Sequence, residues 1–404
     1  MAGIAVVVGS VAFLGALLLL LFGLTNLSAD HDQRLFQLNA TVGSAIVLAG
    51  LGGFLAYQGA SALGGQSSKP FVVRRAWLIL PAFPVAVLLG QLLAQNSESC
   101  SWLFPIVNVA MVSIPSLFIA ALAANRYQRN HPLAWPVSWR EWTSGFIYGA
   151  VGATMVAGVI NTAYLLVASA VLVQTKGDGD VFPLEDALRT LPRGWGIFLD
   201  LSTISLVAPL NEEFWKGMLV AFFFFRKGGA ARCFLWGILA GTGFNLFETF
   251  GNSLALVNPD QLAENTIGRD WWIFASARAG TAAMHGLATG LAALGFYGLL
   301  RQRPAYLIGY PAGVLLHGTW NFLVYAIVGD AFFSGAGPDT LTLDVLGIAG
   351  LALVFAGSLV MMWLLSGALR DEAPAPIYQL IGMRPRAELP PESRFRWPQY
   401  GRWG

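Results

Sequence analysis

From Ala2 to Leu24 the chain carries not one charged residue. A run of that length and character has one stable solution. It closes its own backbone hydrogen bonds as a helix and crosses hydrocarbon, which takes about 20 residues. Nine further runs repeat the pattern. The ten lie at roughly 3–24, 39–63, 76–95, 102–124, 142–173, 195–225, 233–257, 272–300, 305–328 and 342–366. The expected fold is therefore all-α, a polytopic membrane helix bundle with about 10 transmembrane helices. Composition agrees: only 11% of residues are charged, against about 25% in soluble proteins, while 56% are hydrophobic and the mean hydropathy is +0.61. A cytosolic enzyme, a secreted disulfide scaffold and a disordered chain are excluded. No Lys or Arg precedes the first run, which is also too long for a signal peptide, so it reads as a retained helix.

The connections alternate in sign. Lys69, Arg74 and Arg75 fall in one loop; Arg126, Arg129 and Arg140 in the next but one; then Arg226, Lys227 and Arg232; then Arg301 and Arg303. The loops between are acidic or sparse, with Asp30 and Asp32, Glu98, Asp178 to Asp186, Asp260 to Asp270, and Asp330 with Asp339. The positive-inside rule puts every basic loop, and hence both termini, in the cytoplasm. Cys100 and Cys233 then lie on opposite sides and cannot pair. A net charge of +2 gives no basic face for nucleic acid. Four regions are expected: an N-terminal five-helix membrane region over 1–175, a four-helix catalytic core over 195–328, a last transmembrane helix over 342–366, and a cytoplasmic Pro/Arg-rich tail over 367–404.

Ionisable groups inside a membrane are costly and mark function. Spans one to five have none away from their ends. Spans six to nine hold Asp200, Glu212, Glu213, Lys216, Glu248, Arg278, His285 and His317. Glu213, Glu248, His285 and His317 each lie 13 to 16 residues from their nearest basic flank, about 20–24 Å at helical rise. Four helices thus present carboxylate, carboxylate, imidazole and imidazole at one level. Helical spacing supplies companions: Lys216 to either Glu212 or Glu213, Phe244 and Asn245 beside Glu248, Thr289 beside His285, and Asn321 beside His317. Asp200 and Arg278 share a depth nearer the outer face and are expected to pair structurally. Glycines such as Gly237, Gly241, Gly290, Gly313 and Gly318 would let these helices approach closely.

Two Glu and two His can activate water. One Glu can serve as general base while a His or Asn donor holds a developing oxyanion. Glu and His are equally ordinary zinc ligands, and Zn²⁺ would acidify the water. Both routes lead to hydrolysis and the residues do not separate them. No His-Glu-x-x-His helix is present. Gly177-Asp178-Gly179-Asp180 reads as a polar loop, and Gly59-Ala60-Ser61 as a helix end.

The ordered set Glu212-Glu213-x-x-Lys216, Phe244-x-x-x-Glu248, His285-x-x-x-Thr289 and His317-x-x-x-Asn321 resembles the PrsW family of intramembrane proteases, related to the CAAX prenyl protease and Abi superfamily. The resemblance covers about 195–328. In the related CAAX enzymes an Arg follows the Glu pair and the second motif supplies His, so Lys216 and Glu248 favour the PrsW branch. Thr249 departs from the pattern, where Asn is expected. The resemblance implies an intramembrane endopeptidase acting on membrane-embedded or membrane-proximal protein substrates. It implies Glu212, Glu213, Glu248, His285, His317 and Asn321 as the catalytic set, supported by Lys216, Phe244, Asn245, Arg278 and Thr289. Glu213, Glu248, His285 and His317 would be the residues to hold a divalent metal such as Zn. It further implies the lipid bilayer of a bacterial plasma membrane as the setting, and the family's namesake role is cleavage of membrane-tethered anti-sigma factors. Two other classes fit the residues less well. A proton- or cation-coupled transporter would use the same carboxylates, but no repeated halves are visible. A silent scaffold would not need the full acidic and imidazole set.

Overall fold

A computed structural model describes residues 2–28, 31–96, 102–131, 134, 136–177, 187–188, 190–221, 228–257, 267–328 and 341–370. Cys100, the Asp178–Asp180 stretch, the other acidic loop residues named above except Asp32 and Asp270, the basic pair Arg226–Lys227 and the tail beyond Arg370 lie outside these residues. The α-helices are α1 (Ala2–Leu24), α2 (His31–Leu38), α3 (Ser44–Leu63), α4 (Ala82–Asn96), α5 (Phe104–Asn130), α6 (Trp139–Ile147), α7 (Thr154–Lys176), α8 (Arg193–Leu201), α9 (Ala208–Leu219), α10 (Ala230–Leu256), α11 (Ile267–Leu300), α12 (Gly309–Val328) and α13 (Leu341–Ala368). Among the described residues there is no strand, only an isolated antiparallel bridge between Pro70 and Ser138.

Among the described residues, three complete π-helical segments splice helices end to end without a break in helical backbone. They are π1 (Asn39–Gly43) between α2 and α3, π2 (Tyr148–Ala153) between α6 and α7, and π3 (Ser202–Val207) between α8 and α9. Among the described residues a helical rod therefore underlies each of the ten apolar runs, that at 195–225 as far as residue 221. Seven of these rods are long and apolar enough to cross a membrane: 2–24, 33–63, 76–93, 104–130, 139–176, 271–300 and 345–368. The chain is a multi-pass helical membrane protein. The other three rods, α8–π3–α9, α10 and α12, are diluted by the polar residues that the sequence singles out, including Glu212, Glu213, Lys216, Glu248 and His317.

Burial follows the same division. Only 11% of the apolar window of α1 is buried inside the protein, against 78% for α11. Alpha-helices α10 and α11 form the central pair, and α10 is buried almost from end to end. Their approach depends on Gly241, where an added Cβ would collide with the His285 carbonyl. On the other face of α10, Gly243 meets the Phe146 carbonyl of α6 in the same way. Close backbone contact of this kind is the usual means of packing helices in lipid.

The basic end of the bundle is pinned by a crossover. Phe71 N–H donates to the Val137 carbonyl at 2.7 Å and Trp139 N–H to the Lys69 carbonyl at 3.0 Å. Gln128 and Asn125 of α5 donate to the carbonyls of Phe71 and Val73. Glu141, in the first turn of α6, accepts from Arg232 Nε at 2.7 Å, Arg232 Nη2 at 2.6 Å and Trp236 Nε1 at 2.6 Å, tying α6 to α10.

Candidate active site

Helix α9 opens with Pro209, which is tolerated in a first turn, and carries Asn211, Glu212, Glu213 and Lys216 over two successive turns. Glu213 and Lys216 are fully buried and form an ion pair of 2.5 Å. The Lys216 ammonium also lies 3.5 Å from Glu212 Oε2, 3.1 Å from His285 Nδ1, and 4.1 Å from the centre of the Phe244 ring. A cation so deep is stable only because carboxylates, an imidazole nitrogen and a ring face surround it.

Glu213 is held at both oxygens. Oε1 takes Lys216 and His317 Nδ1, the latter at 3.0 Å, and Oε2 accepts from the Thr289 hydroxyl at 2.7 Å. The His285 and His317 rings stand edge to face with centroids 4.5 Å apart. Because an ammonium only donates, His285 Nδ1 accepts from Lys216, and Nε2 carries the proton given to Glu248 Oε2 at 3.1 Å. Likewise His317 Nδ1 donates to Glu213, and its Nε2 presents a lone pair 3.8 Å from Glu212 Oε2.

Glu248 has a second cationic neighbour. Arg278 Nη2 reaches its Oε2 at 2.5 Å, and Arg278 Nε donates to the Thr249 hydroxyl at 2.9 Å. The structure thus gives Arg278 these partners in place of the expected pairing with Asp200, which is buried in α8. Thr249 passes the chain on to Asn245 Oδ1 at 3.4 Å, and Asn245 donates to Ser116 of α5 at 2.9 Å. The departure at Thr249 from the expected Asn therefore has a position: it is the link between Arg278 and Asn245. Asn245 faces α5 rather than the imidazoles.

Asn321 also turns away. Its amide donates to the Ile204 carbonyl at 2.7 Å, inside π3. A π segment spaces its carbonyls out of the ordinary i→i+4 ladder, and Asn321 satisfies one of them.

Two residues absent from the sequence reading reach the cluster. Asn161 of α7 donates to Glu212 Oε1 at 3.1 Å, and Asn211 donates to Asn161 Oδ1 at 2.8 Å and to the Ala157 carbonyl at 2.9 Å. An uncharged amide in an apolar run gives little signal, although Asn161 is the sole Asn in its run.

Donor atoms of Glu212, His285 and His317 all lie within 4.8 Å of one another, and all three residues are buried. Three such ligands with a fourth position left for water is the pattern of catalytic zinc sites. The Glu213–His317 hydrogen bond adds the carboxylate that commonly orients a ligating imidazole. The donor set fits a divalent metal. His317 offers its lone pair as the structure stands; His285 would offer Nε2 only as the other tautomer, with its proton on Nδ1 and Lys216 giving up the proton that it donates there. The carboxylate in this grouping is Glu212, whereas the sequence reading favoured Glu213 and Glu248.

The fold and the cluster define a class: a multi-pass helical membrane protein that buries a group of Glu and His side chains chemically able to activate water. A family model described as "PrsW family intramembrane metalloprotease" matches residues 137–357, more than half of the chain. The protein belongs to that family: it is an intramembrane protease, a hydrolase whose substrates lie in the membrane. No curated protein and no solved structure matches the chain. The matched stretch begins at α6, well before the 195 suggested by the motifs, and so takes in Asn161.

Proposed function

We propose that the chain is an endopeptidase that cleaves membrane-embedded or membrane-proximal segments at the α9–α12 cluster. The observation that carries this reading is the convergence of Glu212, His285 and His317 donors within 4.8 Å. These three would hold a divalent metal, which when bound supplies Lewis acidity and a water acidified toward neutrality. Among the carboxylates Glu248 is the most open, with 29% of its side chain exposed, against none of Glu213. Glu248 is the group placed to take a proton from water, and Arg278 balances its charge. Glu213, sealed on all sides, positions His317 in one tautomer. Asn161 and Asn211 fix the rotamer of Glu212.

One observation favours a second reading. With Lys216 on Nδ1 and Glu248 on Nε2, His285 is hydrogen-bonded at both nitrogens without a metal. In that reading Glu248 and His285 activate water directly. Elemental analysis of wild type and of His285→Ala/His317→Ala, beside cleavage of a membrane-tethered reporter in proteoliposomes, distinguishes the two. Stoichiometric zinc in wild type and none in the variant supports the metal route. Activity retained under chelator supports the carboxylate route. Undiminished cleavage in both His285→Ala and Glu248→Gln would overturn the site itself.

The alternating loop charges support ten crossings with both termini on the cytoplasmic side. Family membership supports a bacterial plasma membrane as the host. It also makes a membrane-tethered anti-sigma factor the first substrate class to test.

A further inference from the structure

A cavity of about 430 Å³ lies away from the Glu/His cluster, among α3, α5, α6 and the Phe71–Ile79 segment. It is partly open, and its exposed lining is almost wholly apolar. Thr143 is one of its few polar side chains, and its hydroxyl already donates to the Trp139 carbonyl at 2.6 Å. Ordered water needs two to four polar partners, and the surface lining this space is almost wholly apolar. Close packing disfavours leaving so large a volume empty. The cavity asks for a hydrocarbon occupant.

Its dimensions and its charge say which. On α5 the lining runs along one stripe, Val109, Ser113, Leu117 and Ala121. That stripe is about 18 Å long at helical rise, close to the depth of one leaflet in a hydrocarbon core of about 30 Å. The Ala121 end points to the basic end of the bundle, where Phe71 lines the cavity and the crossover holds it against α5. Lys69, Arg74 and Arg75 flank Phe71 and are exposed. Arg140 follows Trp139, another lining residue, whose N–H is bonded to the Lys69 carbonyl. Apolar depth of one leaflet beneath a basic rim is the complement of an anionic phospholipid.

We propose that this cavity is a specific site for an anionic phospholipid of the cytoplasmic leaflet, with one acyl chain between α3, α5 and α6 and its phosphate among Lys69, Arg74, Arg75 and Arg140. The site is one residue from the catalytic framework. Phe146 and Ile147 line it, and the next residue, Tyr148, donates to the Trp215 carbonyl of α9 at 2.7 Å. The occupant therefore packs against the segment that braces the helix of Glu212 and Glu213. The proposal stands on the cavity and its rim, independent of which residues activate water.

The test is lipid retention by the purified full chain. Delipidated protein is titrated with dipalmitoyl phosphatidylglycerol or dipalmitoyl phosphatidylcholine, and bound lipid is counted by native mass spectrometry. Phosphatidylglycerol is expected to be held at least tenfold more tightly. Arg74→Ala/Arg75→Ala should weaken it about twenty-fivefold, at about fivefold for each basic residue near a headgroup, and leave phosphatidylcholine unchanged. Gly50 lines the cavity, and a Cβ added there meets nothing within 4 Å. Gly50→Phe can thus fill the space without a clash at its root, and should abolish retention of both lipids, whereas Gly50→Ala should retain them. A phosphatidylglycerol with brominated acyl chains should quench fluorescence that Trp139→Phe/Trp142→Phe removes. Equal retention of the two lipids by wild type, or wild-type retention by Gly50→Phe, overturns the proposal. So does displacement of the brominated lipid by a substrate transmembrane peptide at stoichiometric amounts.

Discussion

Thr289→Val is the sharpest probe of the cluster because it removes one atom's chemistry and little else. The Thr289 hydroxyl donates to Glu213 Oε2 at 2.7 Å, and Glu213 is fully buried, so water cannot step in. Valine keeps the branch and nearly the volume. Among the described residues Thr289 is the donor to Oε2, while Lys216 and His317 both hold Oε1. A hydrogen bond to a charged group contributes about 1.5–3 kcal/mol. If Glu213 serves to hold His317, that loss falls on the placement of the imidazole. At about 1.4 kcal/mol per tenfold, kcat should drop roughly 10- to 100-fold. KM should stay near its original value, since Thr289 faces Glu213 rather than a substrate. Thr289→Ser keeps the donor and loses a methyl, at a cost of about 1 kcal/mol in packing, so its kcat should stay within a few-fold of wild type. Cleavage of a membrane-tethered reporter in proteoliposomes reads both variants, and thermal unfolding in the same detergent separates activity from stability. A fully active Val variant, or a Ser variant as impaired as Val, would refute the argument: the first because the bond would not matter, the second because packing would.

Asn161→Leu should lower cleavage about five- to tenfold and weaken zinc binding to a similar degree, because Glu212 Oε1 loses its anchor; calorimetric zinc titration checks the second effect. Zinc titration of wild type should also release about one proton, lost from the Lys216–His285 pair as His285 changes tautomer, read from the dependence of the binding enthalpy on buffer ionisation. Glu141→Leu leaves Arg232 without the carboxylate that binds it at two nitrogens and should cost about 3 kcal/mol, seen as a lowered melting temperature in detergent with wild-type metal content in the fraction that stays folded. Gly241→Ala should be destabilising by at least about 1–3 kcal/mol, since the new methyl meets the His285 backbone; a wild-type melting temperature would contradict the packing of α10 on α11.

The parts of this site that could be read from sequence share one physical reason. A charge in an apolar run is expensive, so Glu213, Glu248, His285 and His317 stand out by type, and their distance from basic flanks gives depth directly. Depth is one coordinate; azimuth around each helix is the other, and sequence carries it poorly. Glu212 and Glu213 share a depth and both reach Lys216, yet they point about 100° apart. Packing alone decides that Glu213 is sealed by Thr289 and His317 while Glu212 meets Asn161. Arg278 shows the same gap: Asp200 was a plausible partner by depth, but the Glu248 side of α11 is where the guanidinium goes.

The π segments explain why azimuth fails where it does. Each adds a residue to a helical turn, and so rotates everything beyond it by roughly 100° relative to a straight α-helix. Segment π3 sits directly before Glu212, Glu213 and Lys216, and π2 directly before the α7 stretch that carries Asn161. A 3.6-residue wheel drawn through either junction aims these side chains wrongly. The same insertion frees the Ile204 carbonyl, and Asn321, one turn beyond His317, answers it. Asn321, which the resemblance places in the catalytic set, locks α12 to the π turn just before the helix of Glu212. Its effect on catalysis would then pass through the geometry of α9, and an Asn321→Asp variant, which cannot donate to that carbonyl when ionised, should disturb the Glu pair before it disturbs any bound substrate.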